Sequence, residues 1–413
     1  MTLRFVPPED ARPTRRLTAI TMALAVLVPL SAWLWPLGLS AFASLAGLLA
    51  LAPRLGRDKR WLGGPVFVLA ALTVLAMMSV VVSPAYAPGG PLAEISDSTT
   101  QTWLKLPLEL GLYASLVLGA VALSEAGAQR AGRWMVWGVL GLAVIVAVEG
   151  LSRGGVYIAL REAIGDPIRP DLGARNSALA TYTLALLIWP VGRALLDDGW
   201  PQLALMLAAA LLLGALMLGA WAPVVAFAAG LIAYGVARLW PRKGSLVIGG
   251  LLALKVLALP WAVLAAEPML RSLQPHIGAS WSARVDIWTY TAHRVAEQPL
   301  LGWGLDASRT FGAAVPLHPH SGPLQLWLEL GAAGAVIAAV FWLILLRKTR
   351  RPETCAAAVA YFTIGALSFG VWQEWWLALG AFAAVWCVVL ARRPDSDPYV
   401  LDRLEELQPL AAE

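Results

Sequence analysis

All four histidines of this 413-residue chain, His276, His293, His318 and His320, fall between residues 266 and 322. The last two form a His-x-His step inside Pro316-Leu317-His318-Pro319-His320-Ser321-Gly322, a rigid Pro- and Gly-rich stretch that leads into an apolar block. A side chain that titrates near neutrality beside arginines suits a general base, which takes the proton of an attacking hydroxyl. A two-histidine metal clamp is the competing chemistry, since alternate residues of an extended chain point the same way. It lacks a third ligand at short spacing, because the nearest acids are Asp306 and Glu329. His276 and His293 read as interfacial polar residues.

The arginines add a second kind of chemistry. Residues 152–175 contain Arg153, Arg161, Arg169 and Arg175, and residues 266–322 contain Arg271, Arg284, Arg294 and Arg309, with no lysine in either segment. A planar guanidinium binds phosphate or carboxylate through two parallel donors, which an ammonium cannot do. Contact with lipid headgroups is the alternative for any single one of them. Trp281 to Glu297 has a helix-like pattern in which Arg284 and Trp288, four apart, share a face.

The elements that must hold these residues are set by composition. Apolar residues make up 59% of the chain and charged residues 14%, against about 25% charged in a soluble domain. The apolar residues come in blocks long enough to cross a hydrocarbon core of about 30 Å as helices, the form in which a backbone satisfies its own polar groups in lipid. The expected fold is an all-α polytopic membrane protein. Its spans are predicted near 17–35, 37–52, 62–82, 106–124, 134–151, 173–191, 201–217, 219–236, 245–265, 323–346, 356–371 and 374–391, about twelve in all. No separate soluble domain is expected. A cleavable leader at the N-terminus is disfavoured, because the first apolar run is longer than a signal core and the small-residue site at Ala41-Phe42-Ala43 lies within the next span.

The positive-inside bias orients the set. With both termini in the cytoplasm, 21 Lys and Arg lie inside, Lys255 is within the membrane, and nine lie outside. Those nine are Lys105 and the eight arginines of the two segments, so two external loops run against the bias that orients everything else. The net charge of +5 therefore reads as a topology signal, and no nucleic-acid partner is expected. Cys355 and Cys387 show no ligand pattern. Trp372-Gln373-Glu374-Trp375-Trp376 reads as an interfacial anchor, with sugar stacking as the alternative.

Three stretches make the sequence recognisable: R-V-D-I-W from Arg284, G-W-G-L-D-A-S-R-T-F from Gly302, and H-P-H-S-G-P-L-Q-L-W-L-E-L-G-A-A-G from His318. Together they resemble the signature of the O-antigen ligase and polymerase family: Arg-x-x-x-Trp, Gly-x-Gly, and His-x-His-Asn-x-x-Leu-Gln before Glu-Leu-Gly-x-x-Gly. The segment R-P-D-L-G-A-R-N-S-A-L-A at 169–180 is similar to a second element of that family. Ser321 departs from the pattern by standing where the family has Asn.

The resemblance implies a GT-C-like bacterial inner-membrane glycosyltransferase with a large periplasmic loop at 266–322. It would transfer a glycan from an undecaprenyl-diphosphate-linked donor to an acceptor hydroxyl on a glycolipid or glycan, by inverting displacement with no cofactor or metal. His320 matches the family's catalytic base and His318 its partner. Arg284, with Arg169 or Arg175, matches the arginines that bind the diphosphate. Trp288, Asn176, Ser321 and Gln325 are the expected supporting residues. A polymerase takes the same donor and differs in the acceptor. A transporter or flippase of lipid-linked glycans is the reading of another class, and it would rely on ionisable residues near mid-membrane such as Lys255, Glu149 or Glu109.

Overall fold

The computed structural model describes residues 11–51, 63–93, 101–241 and 243–392. The basic cluster at 54–60, Arg4, Arg242 and the residues after 392 lie outside the described residues. The regular elements among the described residues are all helical: α1 Ala11–Leu34, α2 Leu39–Leu51, α3 Gly64–Ser79, α4 Thr102–Val121, α5 Glu125–Ser152, α6 Gly155–Ala163, α7 Pro170–Asp197, α8 Pro201–Met217, α9 Trp221–Leu239, α10 Gly244–Leu273, α11 Ala279–Glu297, α12 Gly322–Lys348, α13 Pro352–Leu367 and α14 Glu374–Leu390.

Each of the twelve expected apolar blocks is a helix. Eight of the helices are long and apolar enough to cross a membrane, while α2, α8, α13 and α14 are shorter. Large apolar side chains point outward from these helices, including Met78 at 69% exposure, Leu205 at 72% and Ile232 at 70%. Such a surface suits hydrocarbon as solvent and not water. The two segments read as loops carry helix of their own. In 152–175, Arg153 and Gly154 in left-handed backbone separate α5 from the short helix α6. In 266–322, α10 runs on to Leu273, past the boundary expected at 265, and α11 occupies the predicted Trp281–Glu297 run.

The chain divides into two compact units, one from Met1–Leu55, Ser115–Val224 and Ala381–Glu413, the other from Gly56–Ala114 and Val225–Gly380. In the first, α5 packs on α1, α7 and α8, and α7 also packs on α8. Gly150 of α5 and Gly214 of α8 meet there, so a Cβ on Gly150 would lie 2.8 Å from the Gly214 Cα. Small residues allow this close approach where lipid supplies no hydrophobic drive. In the second unit, α12 is central and packs on α3, α10, α11 and α13. Its core includes Leu252, Val256, Leu328, Leu330, Ala335 and Phe362.

The central helix of the second unit is interrupted. Gly331 sits at φ 59° and ψ −155°, which breaks α12 and leaves helix backbone groups without their usual partners. The stretch after α11 takes them up. Trp303 and Gly304 N–H donate to the Leu328 and Glu329 carbonyls at 2.8 Å, while Ala332 and Ala333 N–H donate to Pro299 and Leu300 at 2.8 and 3.2 Å. The contact is backbone against backbone. A Cβ on Gly302 would lie 2.6 Å from the Glu329 carbonyl carbon, and one on Gly331 would lie 2.5 Å from both carbonyl atoms of Leu300.

The Gly-x-Gly and Glu-Leu-Gly-x-x-Gly motifs are therefore the two sides of one contact. Gly331→Ala is expected to lose accumulated folded protein, since the backbone strain alone costs about 1–3 kcal/mol and the overlap adds to it. Gly250→Ala, at an α10 position with no atom within 4 Å of the added Cβ, should match wild type in detergent melting. Equal melting of the two variants would refute this account of Gly331.

Candidate active site

The site lies in the second unit, in residues 299–321 between α11 and α12. Two anchors fix the start of this segment. Leu305 N–H donates to Ser79 Oγ at 3.0 Å, and the Ser83 hydroxyl donates to the Leu305 carbonyl at 2.6 Å. Farther along, Phe311 packs edge-on against Tyr290 of α11 and against Trp303, whose indole N–H donates to the Arg294 carbonyl at 2.9 Å. Trp288 of α11 donates its indole N–H to the Pro319 carbonyl at 3.1 Å, so it grips the residue between the two histidines.

His318 is 7% exposed and His320 half-buried, with ring centroids 4.4 Å apart. His320 adopts a left-handed φ of 53°, a conformation that non-Gly residues rarely take. That turn aims its own N–H at His318 Nδ1, 3.0 Å away. A backbone N–H can only donate, so His318 Nδ1 accepts, and the Gln373 side-chain amide nitrogen stands 3.1 Å from the other ring nitrogen. Burial first, then the repulsion that a second proton on the histidine pair would meet and the positive fields of Arg309 and Arg284, push the His318 pKa down to about 3. His318 is thus a neutral acceptor already engaged in shaping the turn.

At His320 the role of Nδ1 is reversed. Its Nδ1 lies 3.1 Å from the Ser368 carbonyl, which can only accept, so Nδ1 carries the proton and Nε2 is left with the lone pair. Burial lowers its pKa, the Ser368 carbonyl opposes that, and Arg284 lowers it further. The result is an imidazole held neutral, oriented through one nitrogen and basic at the other. In this arrangement neither histidine keeps both ring nitrogens open, which argues against the clamp of His318 and His320 on one metal.

The wall behind the histidines comes from α12 and the α13–α14 turn. Gln325 accepts from Val371 N–H at 2.9 Å and donates to Glu329 at 3.0 Å, while Trp372 donates its indole N–H to the other Glu329 oxygen at 2.6 Å. Gln373 accepts from Gly370 N–H at 3.2 Å and touches His318. The 372–376 stretch thus supports the site from within instead of serving only as an interfacial anchor: Trp376 stacks on Tyr361, and Glu374 pairs with Lys105, the single lysine assigned to the outside. Ser321 stands at the N-cap position of α12 without a side-chain cap, its hydroxyl buried and unbonded among the described residues. Pro323 in the first turn has no N–H to cap, which reduces what is asked of that side chain.

Arg284 lies one turn before Trp288. Its guanidinium stacks over Trp281 at 5.0 Å and donates to the Ser280 carbonyl and hydroxyl at 3.0 and 2.6 Å, and Trp281 packs edge-on against Trp288. The structure therefore brings together His318, His320, Ser321, Gln325 and Trp288, with Arg284 on the same helix as Trp288. Arg169, Arg175 and Asn176 belong to the other unit. There Arg169 forms a two-bond pair with Asp171 at 2.7 and 3.1 Å, Arg175 is exposed, and Asn176 reaches the Tyr157 hydroxyl at 3.5 Å. Sequence reasoning missed Ser368, which acts through a backbone carbonyl. It also missed the grouping of Tyr86 with Asp306 and Arg309, two residues that follow the G-W-G stretch.

Fold and site together define a multi-pass membrane protein that presents a close histidine pair, one ring buried and one half-buried, and an aromatic-stacked arginine beside an interrupted helix. Residues 203–339 match the family model described as O-antigen ligase. The matched stretch, about a third of the chain, is similar to that family and contains Arg284, Trp288, the histidine step and the Gly302–Gly331 contact.

A Rickettsia conorii protein named "Putative polysaccharide ligase" is 30% identical over 136 residues, covering 27% of this chain and 32% of that protein. Proteins of the same name from Rickettsia felis and Rickettsia bellii are 27% and 28% identical over 136 and 141 residues, covering 27% and 29% of this chain and 32% and 34% of theirs. The chain thus spans about a third of the length of these relatives.

Proposed function

We propose that the protein is a membrane glycosyltransferase of the ligase type. It transfers a glycan from a polyprenyl diphosphate, undecaprenyl diphosphate in the bacterial inner membrane, to an acceptor hydroxyl on a glycolipid at the periplasmic face. The observation that carries this reading is the fixed tautomer of His320. With Nδ1–H held by the Ser368 carbonyl, Nε2 is the one nitrogen able to take a proton, and Arg284 lies close enough to lower the pKa of that ring.

The acceptor oxygen attacks the anomeric carbon and forms the new glycosidic bond as its proton passes to His320 Nε2. The bond from the anomeric carbon to the diphosphate oxygen breaks, its electron pair leaves with the polyprenyl diphosphate, and the configuration inverts. The imidazolium then returns its proton to solvent. Arg284 faces the negative charge that grows on the leaving diphosphate, the role in which a preorganised donor is worth most. Under this reading the two termini are cytoplasmic, and 266–322 is periplasmic. Arg169 and Arg175 are assigned to the donor on the family resemblance.

Purified protein in proteoliposomes, given a polyprenyl-diphosphate-linked glycan and a glycolipid acceptor in excess EDTA, should form a glycosidic product of inverted anomeric configuration and release polyprenyl diphosphate. Activity lost to EDTA and restored by one added metal would overturn the metal-independent mechanism. Movement of the donor across the bilayer with no new bond would return the protein to the transporter reading.

A further inference from the structure

We propose that Arg309 is a second anion-binding residue of this site, aimed at the diphosphate by a buried Tyr86–Asp306 pair; this rests on the donor reading above and deepens it. Asp306 is 3% exposed, in left-handed backbone at φ 59°. Both of its carboxylate oxygens are engaged: Oδ2 accepts from the Tyr86 hydroxyl at 2.5 Å, and Oδ1 accepts from Arg309 Nε at 3.2 Å. A buried carboxylate bound from both sides is a rigid support. It takes a single donor from the guanidinium, and among the described residues the two terminal amino groups of Arg309 have no hydrogen-bond partner, on a side chain that stays 31% exposed. The fork that recognises a phosphate is thus left open.

The placement of that arginine follows from the chain. Ser308, the preceding residue, donates its hydroxyl to the Leu317 carbonyl at 3.2 Å, which seats the Arg309 turn against the residue before His318. The two guanidiniums stand on separate elements beside the histidine pair, Arg309 on the 307–310 turn that Ser308 ties to Leu317 and Arg284 on α11 one turn from Trp288, which holds Pro319, and both lower the His318 pKa. A diphosphate offers two phosphoryl groups, and two such arginines match them where a monophosphate would occupy one. Tyr86 supports this from the 83–93 stretch, where burial and the adjacent Asp306 carboxylate raise its pKa and keep the phenol a donor at all working pH values.

The test measures binding of undecaprenyl diphosphate and of undecaprenyl monophosphate to the full chain in nanodiscs rich in phosphatidylglycerol. Wild type should favour the diphosphate. Arg309→Gln should lower diphosphate affinity about tenfold or more while leaving monophosphate affinity unchanged, and so abolish the preference. Tyr86→Phe, which keeps the ring and removes the bond to Asp306, should shift the preference in the same direction by less. A site that recognises only phospholipid headgroups would be saturated in these nanodiscs and show no diphosphate preference, which overturns the proposal. Wild-type binding by Arg309→Gln overturns it too, as does an equal loss for both lipids with a lowered melting temperature, the mark of a structural ion pair. Failure of wild type itself to bind either lipid would instead remove the donor reading on which the proposal stands.

Discussion

His320→Ala is expected to slow glycan transfer by about 10²–10⁴-fold, the usual worth of a positioned base, while binding of the lipid-linked donor stays close to wild type. The separation follows from the bond pattern. Nδ1 is held by a backbone carbonyl that remains in the variant, and Nε2 is the proton acceptor of the proposed mechanism, so truncation removes the base and leaves the proposed arginine contacts to the donor in place. The pH dependence supplies an independent readout. Burial and Arg284 hold the His320 pKa below its ordinary value of 6.5. The neutral base is therefore present through neutral pH and is lost as pH falls through that lowered value, so the acid limb of kcat/KM should lie below 6.5.

His318, with a pKa of about 3, does not titrate in that window. Its removal should shift the limb only through the turn it braces. Normal accumulation and melting of each variant must be shown first, since a folding defect imitates a catalytic one. Transfer at the wild-type rate by a well-folded His320→Ala protein would end the assignment of the base.

Much of this architecture was readable because lipid imposes a coarse constraint. An apolar block in a chain with few charges has one way to satisfy its backbone, and every expected block is a helix. What composition could not supply is where α10 ends, since it runs on to Leu273 through polar residues beyond the apolar block that closes at 265. The short helix α6 was hidden because its apolar run, Val156 to Leu160, is far too short to span a membrane and lies among arginines and acids, and the helix is set off by Gly154 in left-handed backbone.

At the site, residue types were legible and their partners were not. Gly302 and Gly331 were each visible as a motif, but that they face one another depends on a break in a helix that nothing local announces. Ser368 contributes a carbonyl, which every residue has, so no side chain could mark it. Lys105 stood out as the single lysine against an arginine pattern, and its pairing with Glu374 explains it without a ligand.

Arg284→Lys should fail almost as badly as Arg284→Gln, with kcat/KM for the donor lowered by about 10²–10³-fold, the cost of removing one preorganised donor to developing charge. Charge conservation suggests the opposite outcome, so the result discriminates between mechanisms. Arg284 is held as a plane: the guanidinium stacks on Trp281, and Nη1 is spent on the Ser280 carbonyl and hydroxyl. This posture fixes the orientation of the remaining donors before the substrate arrives. An ammonium on a flexible stem keeps the charge and loses both the stacking plane and the paired donors, so its three protons point wherever water draws them. If long-range charge were the whole contribution, lysine would restore most of the rate, and the acid limb set by His320 would stay where Arg284 places it. If the fork matters, Arg284→Lys restores the positive field on His320 and therefore the position of the acid limb, while the height of the profile stays low. A lysine variant with near-normal kcat/KM would reduce Arg284 to a source of field, and the diphosphate contact would then have to be made by other arginines.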